Sequence, residues 1–299
     1  MRQKMISEVL KERYGTKVYK LALTSGCTCP NRDGTAGYGG CSFCSEGGSG
    51  EFAAPLLPLE EQIREARRRV DQKIPARIPP DKRRYVAYFQ SFTNTYGDPE
   101  RLGALYMEAA MRPEICAVSV GTRPDCLPPD MLTALSAVNR VKPVWVELGL
   151  QTVHERTARA VNRCWRFPVY EEAVRTLKAL DMQVITHVIF GLPGESREDM
   201  LETVRVISAM RPHTDGIKLQ QLQILEGTRM GREYKAHPFP LMSLDEYCDL
   251  LRDSLAILPE DVVIHRLTGD GPKALLIAPK WCADKKRVMN TIRKRVTER

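Results

Sequence analysis

Six times in succession a short apolar run is followed by residues at helical spacing, and this alternation constrains the fold of the 299-residue chain more than any other feature. Strand-like runs fall at 18–23, 85–89, 117–120, 144–150, 184–190 and 217–225, with 262–264 a candidate for one more. Between the first two, Leu59, Ile63, Ala66 and Val70 recur at the spacing that gathers apolar side chains on one helix face. Asp98-Pro99 supplies an N-cap acid and a proline at the first helical position. Leu102, Leu105, Tyr106 and Ala109 then form the buried stripe. Further helices are expected over 131–138, 155–161 and 170–180, and after the capping-box sequences that begin at Ser196 and Ser243. The tail beyond Trp281 also reads as helical. Strand-then-helix repeats imply a parallel sheet covered by helices, because a parallel neighbour needs a crossover. Periodicity leaves open whether that sheet is doubly wound or curled toward a barrel. Either way, the loops leaving the strand C-termini carry the function.

Those loops hold the polar clusters. Cys29, Cys41 and Cys44 follow the first strand as C-x11-C-x2-C, Gln90-Ser91-Phe92-Thr93-Asn94 the second, and Thr122-Arg123-Pro124-Asp125 the third. Gln151-Thr152 follows the fourth and Gly191-Leu192-Pro193-Gly194-Glu195 the fifth. Thiolates are soft ligands that select zinc, copper(I) or iron–sulfur clusters. Three of them leave a metal position open, whereas Cys27 as a fourth would close a tetrahedral zinc site. From the loop alone both readings stand. A site facing four other polar strand ends favours the open one.

Composition narrows the class. Apolar content of 43% and charged content of 27% suit a globular protein rather than a disordered one. The apolar stretch at 184–192 is too short to span a bilayer, and the first residues lack a signal-peptide core. A cytoplasmic protein with no membrane partner is expected. Nine cysteines, an odd number without a secretion signal, argue against a disulfide framework. The net charge of +8 gathers in 64–84, with nine Lys/Arg against three acids, and in the tail 280–299. This suits an RNA or another polyanion as well as a solvated helix face.

The segments Cys29-Pro30-Asn31-Arg32-Asp33-Gly34-Thr35 and Gly39-Gly40-Cys41-Ser42-Phe43-Cys44 resemble the cluster loop of the YtqA/YhcC-type branch of the radical S-adenosylmethionine (radical SAM) superfamily. The strand-end motifs, Glu147-Leu148-Gly149-Leu150-Gln151 and His265-Arg266-Leu267-Thr268-Gly269-Asp270 extend the resemblance over nearly the whole chain. It implies an α/β fold, a partial (βα)6 TIM-type barrel over 1–235 with a helical extension over 236–299. It implies an enzyme in which Cys29, Cys41 and Cys44 bind three irons of a [4Fe-4S] cluster. The fourth iron would chelate S-adenosylmethionine, whose reductive cleavage yields a 5′-deoxyadenosyl radical. Cofactor contacts are expected from Gln90, Ser91, Thr93, Thr122, Arg123, Gln151 and Gly191, and an electron from a reductant such as flavodoxin or ferredoxin. Cys27 departs from the pattern and is expected to be a bystander. Asn162-Arg163-Cys164-Trp165 and the glutamine-rich 219–223 also depart from it. His154, His187, His213 and His237 share no spacing with the cysteines and read as structural.

Three functions follow as expectations. The branch is similar to the catalytic subunit of Elongator, which implies transfer RNA as partner and the C5 side chain of the wobble uridine as target. A small metabolite is the alternative, as in the similar oxygen-independent coproporphyrinogen oxidases. A zinc-stabilised RNA-binding protein without catalysis is the third.

Overall fold

A computed structural model describes residues 3–48, 50 and 52–297, so Glu298 and Arg299 of the basic tail, and Met1 and Arg2 of the N-terminus, lie outside the described residues. The first half runs α1 (Ile6–Tyr14), β1 (Tyr19–Leu23), α2 (Leu59–Asp71), β2 (Tyr85–Phe89), α3 (Pro99–Met111), β3 (Ile115–Thr122), α4 (Pro129–Asn139) and β4 (Val144–Gln151). It continues through α5 (Glu155–Ala160), α6 (Phe167–Ala179), β5 (Gln183–Phe190), α7 (Arg197–Ala209), β6 (Gly216–Gln221) and β7 (Ile224–Leu225). The remainder holds α8 (Arg229–Ala236), α9 (Leu244–Ile257), β8 (Val263–Arg266), β9 (Leu276–Ala278) and α10 (Lys285–Ile292).

Seven strands form one sheet in the order β1-β2-β3-β4-β5-β6-β8, every neighbouring pair parallel. All C-terminal ends therefore share one rim. Alternate residues of each strand face opposite ways. Tyr85, Phe89, Val118, Val146, Leu148 and Val184 face outward into the main core beneath the helices. Val86, Trp145 and Ile185 face inward and form a separate cluster with Leu10 of α1. The α1 helix thus plugs the N-terminal mouth of the curl. Its entry strip covers the free edge of β8, where the Ile264 amide donates to the Lys4 carbonyl at 2.9 Å. An unpaired strand edge is otherwise a site of aggregation.

The caps read from sequence are present. The Asp98 carboxylate accepts from the Glu100 amide, and Ser196 and Ser243 form capping boxes with Asp199 and Glu246. Two features differ. The run 217–225 is not one strand: β6 ends at Gln221, and β7 leaves the sheet to pair antiparallel with β9. The candidate strand at 262–264 is real, so residues 236–299 contribute β8 as a seventh strand of the same sheet. Neither α1 nor α8 is foreseen from the strand–helix alternation.

Candidate active site

The long connection after β1 carries the cysteines to the C-terminal rim, where Cys29, Cys41 and Cys44 line one cavity of about 240 Å³. Arg32 braces the loop from within. Its guanidinium donates to the Cys44 and Glu46 carbonyls at 3.4 Å each and to that of Ser45, and lies over the Phe92 ring. Asn162 ties the loop to the α5–α6 turn, donating to the Tyr38 and Gly40 carbonyls at 3.0 and 2.8 Å. Asn31 returns the contact through the Asn162 carbonyl at 2.5 Å, and its amide nitrogen lies 3.7 Å from the Cys41 sulfur. Gly37 has no room for a side chain: a Cβ there would meet Asn31 Oδ1 at 2.4 Å and the Cys164 sulfur at 2.8 Å. The segment at 162–165 thus buttresses the cysteine loop.

Cys27 stands apart. Its sulfur lies 3.8 Å from an Arg101 guanidinium nitrogen, it packs against the main core, and it does not line the cavity. Among the described residues no three cysteine, histidine or carboxylate side chains converge to hold one metal ion. A structural zinc needs four ligands about 2.3 Å from a single point. The three thiols line one cavity together, and soft sulfur ligands of this kind suit an iron–sulfur cluster as well as zinc. Burial pushes the Cys41 thiol up to about 12, with Cys44 and Cys29 adding to the effect and Arg123 opposing it. Such a thiol ionises when a cationic metal group binds it, so ligation and deprotonation are coupled.

Gln90, Ser91, Thr93, Thr122, Arg123 and Gln151 all line this cavity. Gly191 does not; its amide donates to the Met200 sulfur at 3.0 Å just past β5. The rim stores backbone strain, since Ser91, Phe92 and Gln151 adopt left-handed conformations at φ 77°, 57° and 64°. Arg163 clamps the last of these. Its guanidinium donates to the Leu150 and Thr152 carbonyls on either side of Gln151, at 2.9 and 2.6 Å, and stacks on Trp165. Among the described residues Thr93 Oγ1 and Gln151 Oε1 are buried without a hydrogen-bond partner. Buried polar atoms are normally satisfied, so two orphans in one cavity mark places for ligand atoms. Arg123 is held by Asp125 through two contacts of 2.9 and 2.7 Å.

Below this rim lies a polar floor that the sequence reading did not single out. Glu147 of β4 is fully buried and accepts from Lys20 at 2.7 Å, Ser119 at 2.7 Å, His187 Nε2 at 2.8 Å and Lys218. Burial alone would raise the Glu147 carboxyl, but Lys20 and Lys218, with the His187 hydrogen bond, outweigh it and hold it well below the usual carboxylate range, while burial, against the pull of Glu147, holds the Lys218 amine well below its own ordinary value. Tyr88 sits between the ammonium groups of Lys20 and Lys218, which lie 4.6 and 4.7 Å from its ring centre. His187, read as structural, lines the cavity; burial, then Lys218, hold its imidazole down to about 4. Arg266 also lines it, whereas His265 packs edge-on against Trp145 beneath. The sequence signal was a charged residue inside otherwise apolar strands, as in Val144-Trp145-Val146-Glu147 and Ile217-Lys218-Leu219.

Comparison with known proteins agrees with this geometry. The Radical SAM superfamily model matches residues 28–207 and the Radical SAM C-terminal domain model residues 214–298. The chain is 40% identical to YtqA of Bacillus subtilis strain 168 over 291 residues, covering 97% of this chain and 88% of that one. It is 34% identical to YhcC of Escherichia coli strain K12 over 277 residues, covering 92% and 86%. In structure it is similar to Elp3 of the archaeon Methanocaldococcus infernus, with a TM-score of 0.67 and 17% identity, over 93% of this chain and 63% of that one. At that identity the likeness concerns the fold alone. With its cysteine loop on the C-terminal rim of a curled parallel sheet, the chain belongs to the radical SAM superfamily, in the branch that holds YtqA and YhcC.

Proposed function

We propose that this radical SAM enzyme modifies the C5 side chain of the wobble uridine in transfer RNA. In this reading Cys29, Cys41 and Cys44 hold a [4Fe-4S] cluster. When bound, that group supplies the electron that cleaves S-adenosylmethionine to a 5′-deoxyadenosyl radical, and a flavodoxin or ferredoxin restores the electron. Gln90, Ser91 and Thr93 hold the amino end of the cofactor, Gln151 contacts it through its orphaned oxygen, and Thr122 and Arg123 hold its anionic side. Gly191 does not line the cavity.

The observation that carries the substrate assignment is the shape of the hollow. Phe43, Ile189, Gln220 and Arg266 line both this cavity and a neighbouring one of about 150 Å³, whose other walls include Gln221, Gln223, Gly269 and Asp270. This leaves room beside the cofactor for a flat ring with amide groups along its edge. RNA-modifying enzymes take single-stranded or extruded bases into such pockets and read their edges by hydrogen bonds. The resemblance of the Thr122-Arg123-Pro124-Asp125 stretch to Elongator-type enzymes points the same way. The basic run at 64–84 contributes less than its charge suggests. Arg67 pairs with Asp71 and Glu114, Arg83 with Asp71, and the run ends near Tyr85, at the opposite end of β2 from the cavity.

Nucleoside mass spectrometry of transfer RNA from a deletion strain tests the assignment. The expected result is accumulation of a precursor of the modified wobble uridine. An unchanged profile, with no RNA binding in a gel at low salt, would contradict it.

A further inference from the structure

Asn31 lies inside the cysteine loop and is completely buried. Its side-chain amide nitrogen carries two hydrogens. That nitrogen donates to the Asn162 carbonyl at 2.5 Å and lies 3.7 Å from the Cys41 sulfur, within the longer reach of a hydrogen bond to sulfur. A backbone carbonyl accepts and never donates, so the Asn162 contact fixes which end of the amide points this way. The second N–H is then left for the sulfur. The loop backbone holds the side chain in this place. The Asn31 carbonyl accepts from the Gly40 amide at 2.7 Å, and Gly37, bare of a Cβ, makes room for the amide oxygen.

The other end of the same amide is unmet. Among the described residues Asn31 Oδ1 is buried with no hydrogen-bond partner. A buried acceptor without a donor costs about 1–3 kcal/mol. An apolar side chain of the same shape would avoid that cost. The Asn162 carbonyl would still accept from the Cys164 thiol at 3.6 Å. Bracing the loop therefore does not account for an amide at this point. What the amide adds is a donor aimed at one of the three thiols that line the cavity.

An N–H aimed at a ligand sulfur favours the state in which that sulfur carries more negative charge, and such bonds help set the potential of cysteine-ligated clusters. We propose that Asn31, through its hydrogen bond to the Cys41 sulfur, raises the reduction potential of the group held by Cys29, Cys41 and Cys44. Asn31 then governs how readily the enzyme takes up the electron it needs. The proposal rests on the cluster assignment above and is independent of the RNA substrate.

The test is a redox titration of the full chain, reconstituted anaerobically with iron and sulfide and followed by the electron paramagnetic resonance signal of the reduced cluster. Asn31→Leu, similar in shape but without the donor, is expected to keep the iron and lower the midpoint potential. At the parent's midpoint its reduced-to-oxidised ratio is expected to fall about tenfold, a shift of about 59 mV for a one-electron couple. Asn162→Gly is the control for a loosened loop. It removes the donors to the Tyr38 and Gly40 carbonyls but keeps the Asn162 carbonyl and suits the left-handed backbone there, at φ 57°. It is expected to lower the melting temperature and leave the potential where it was. An unchanged potential in Asn31→Leu, or an equal fall in Asn162→Gly, would overturn the proposal. If Asn31→Leu fails to hold iron, the parent alone decides. With the asparagine side-chain nitrogens isotopically labelled, its reduced cluster is expected to show a weak coupling to a labelled nitrogen, and absence of that coupling would overturn the proposal. A parent that takes up zinc and no iron would instead contradict the cluster assignment itself.

Discussion

Lys20 of β1 and Glu147 of β4 meet at 2.7 Å although two strands lie between them in the sheet. Side by side in a flat sheet, their backbones would lie roughly 14 Å apart on the same face. The contact forms because the sheet curls its inner face around the cavity. Lys218 of β6 closes the same figure from the other side, donating to Glu147 and lying 3.4 Å from the Tyr88 hydroxyl of β2.

Glu147→Ala removes the one acid from this figure and leaves the buried Lys218 and the half-buried Lys20 without it. Breaking a buried ion pair from one side costs about 3–5 kcal/mol. The variant is expected to lose that much in urea unfolding at neutral pH. A change below about 1 kcal/mol would show that the floor is open to water.

His187 makes stability depend on pH. Its imidazole is held down to about 4, from 6.5, chiefly by burial, so the unfolded chain binds a proton that the folded one refuses. Stability then rises with pH through that window and is lost as pH falls from about 6.5 toward 4. His187→Gln is expected to flatten the urea midpoint between pH 7 and pH 4.5, relative to the parent, by up to about 3 kcal/mol. A parallel profile for the two proteins would place His187 in solvent.

Gln151 holds a left-handed backbone that costs about 1 kcal/mol for a residue with a Cβ. Gln151→Gly relieves it, and the melting temperature is expected to stay level or rise. Affinity for S-adenosylmethionine is expected to fall about tenfold, because a side-chain hydrogen bond to a charged group is worth about 1.5–3 kcal/mol. Lower stability with unchanged affinity would make Gln151 structural.

Arg163 is 1% exposed and spends its donors on the carbonyls of Leu150, Thr152 and Trp165. Arg163→Met strands these acceptors and is expected to cost about 3 kcal/mol in thermal or urea unfolding. Arg163→Lys is expected to recover less than half, because an ammonium cannot reproduce the planar fork.

The strands and caps were legible in the sequence because each depends on near neighbours. Asp98-Pro99 caps α3 wherever the rest of the chain goes, and 85–89 is apolar throughout because β2 is buried on both faces. The rim was legible because its residues cluster in loops at strand ends. The floor was not. Lys20, Glu147, His187 and Lys218 lie one to a strand in four separate strands, and only the curl of the sheet brings them together. The break between β6 and β7 was hidden for a related reason: Ile224 and Leu225 are as apolar as a continuing strand, but their partner β9 lies some fifty residues away.

The most direct test of the account is the iron content of the reconstituted protein in four single variants. Cys29→Ala, Cys41→Ala and Cys44→Ala are each expected to lose the cluster iron and the formation of 5′-deoxyadenosine, whereas Cys27→Ala keeps about four irons per chain. Retention of iron by any of the first three, or its loss from Cys27→Ala, would contradict the assignment of the open three-cysteine site.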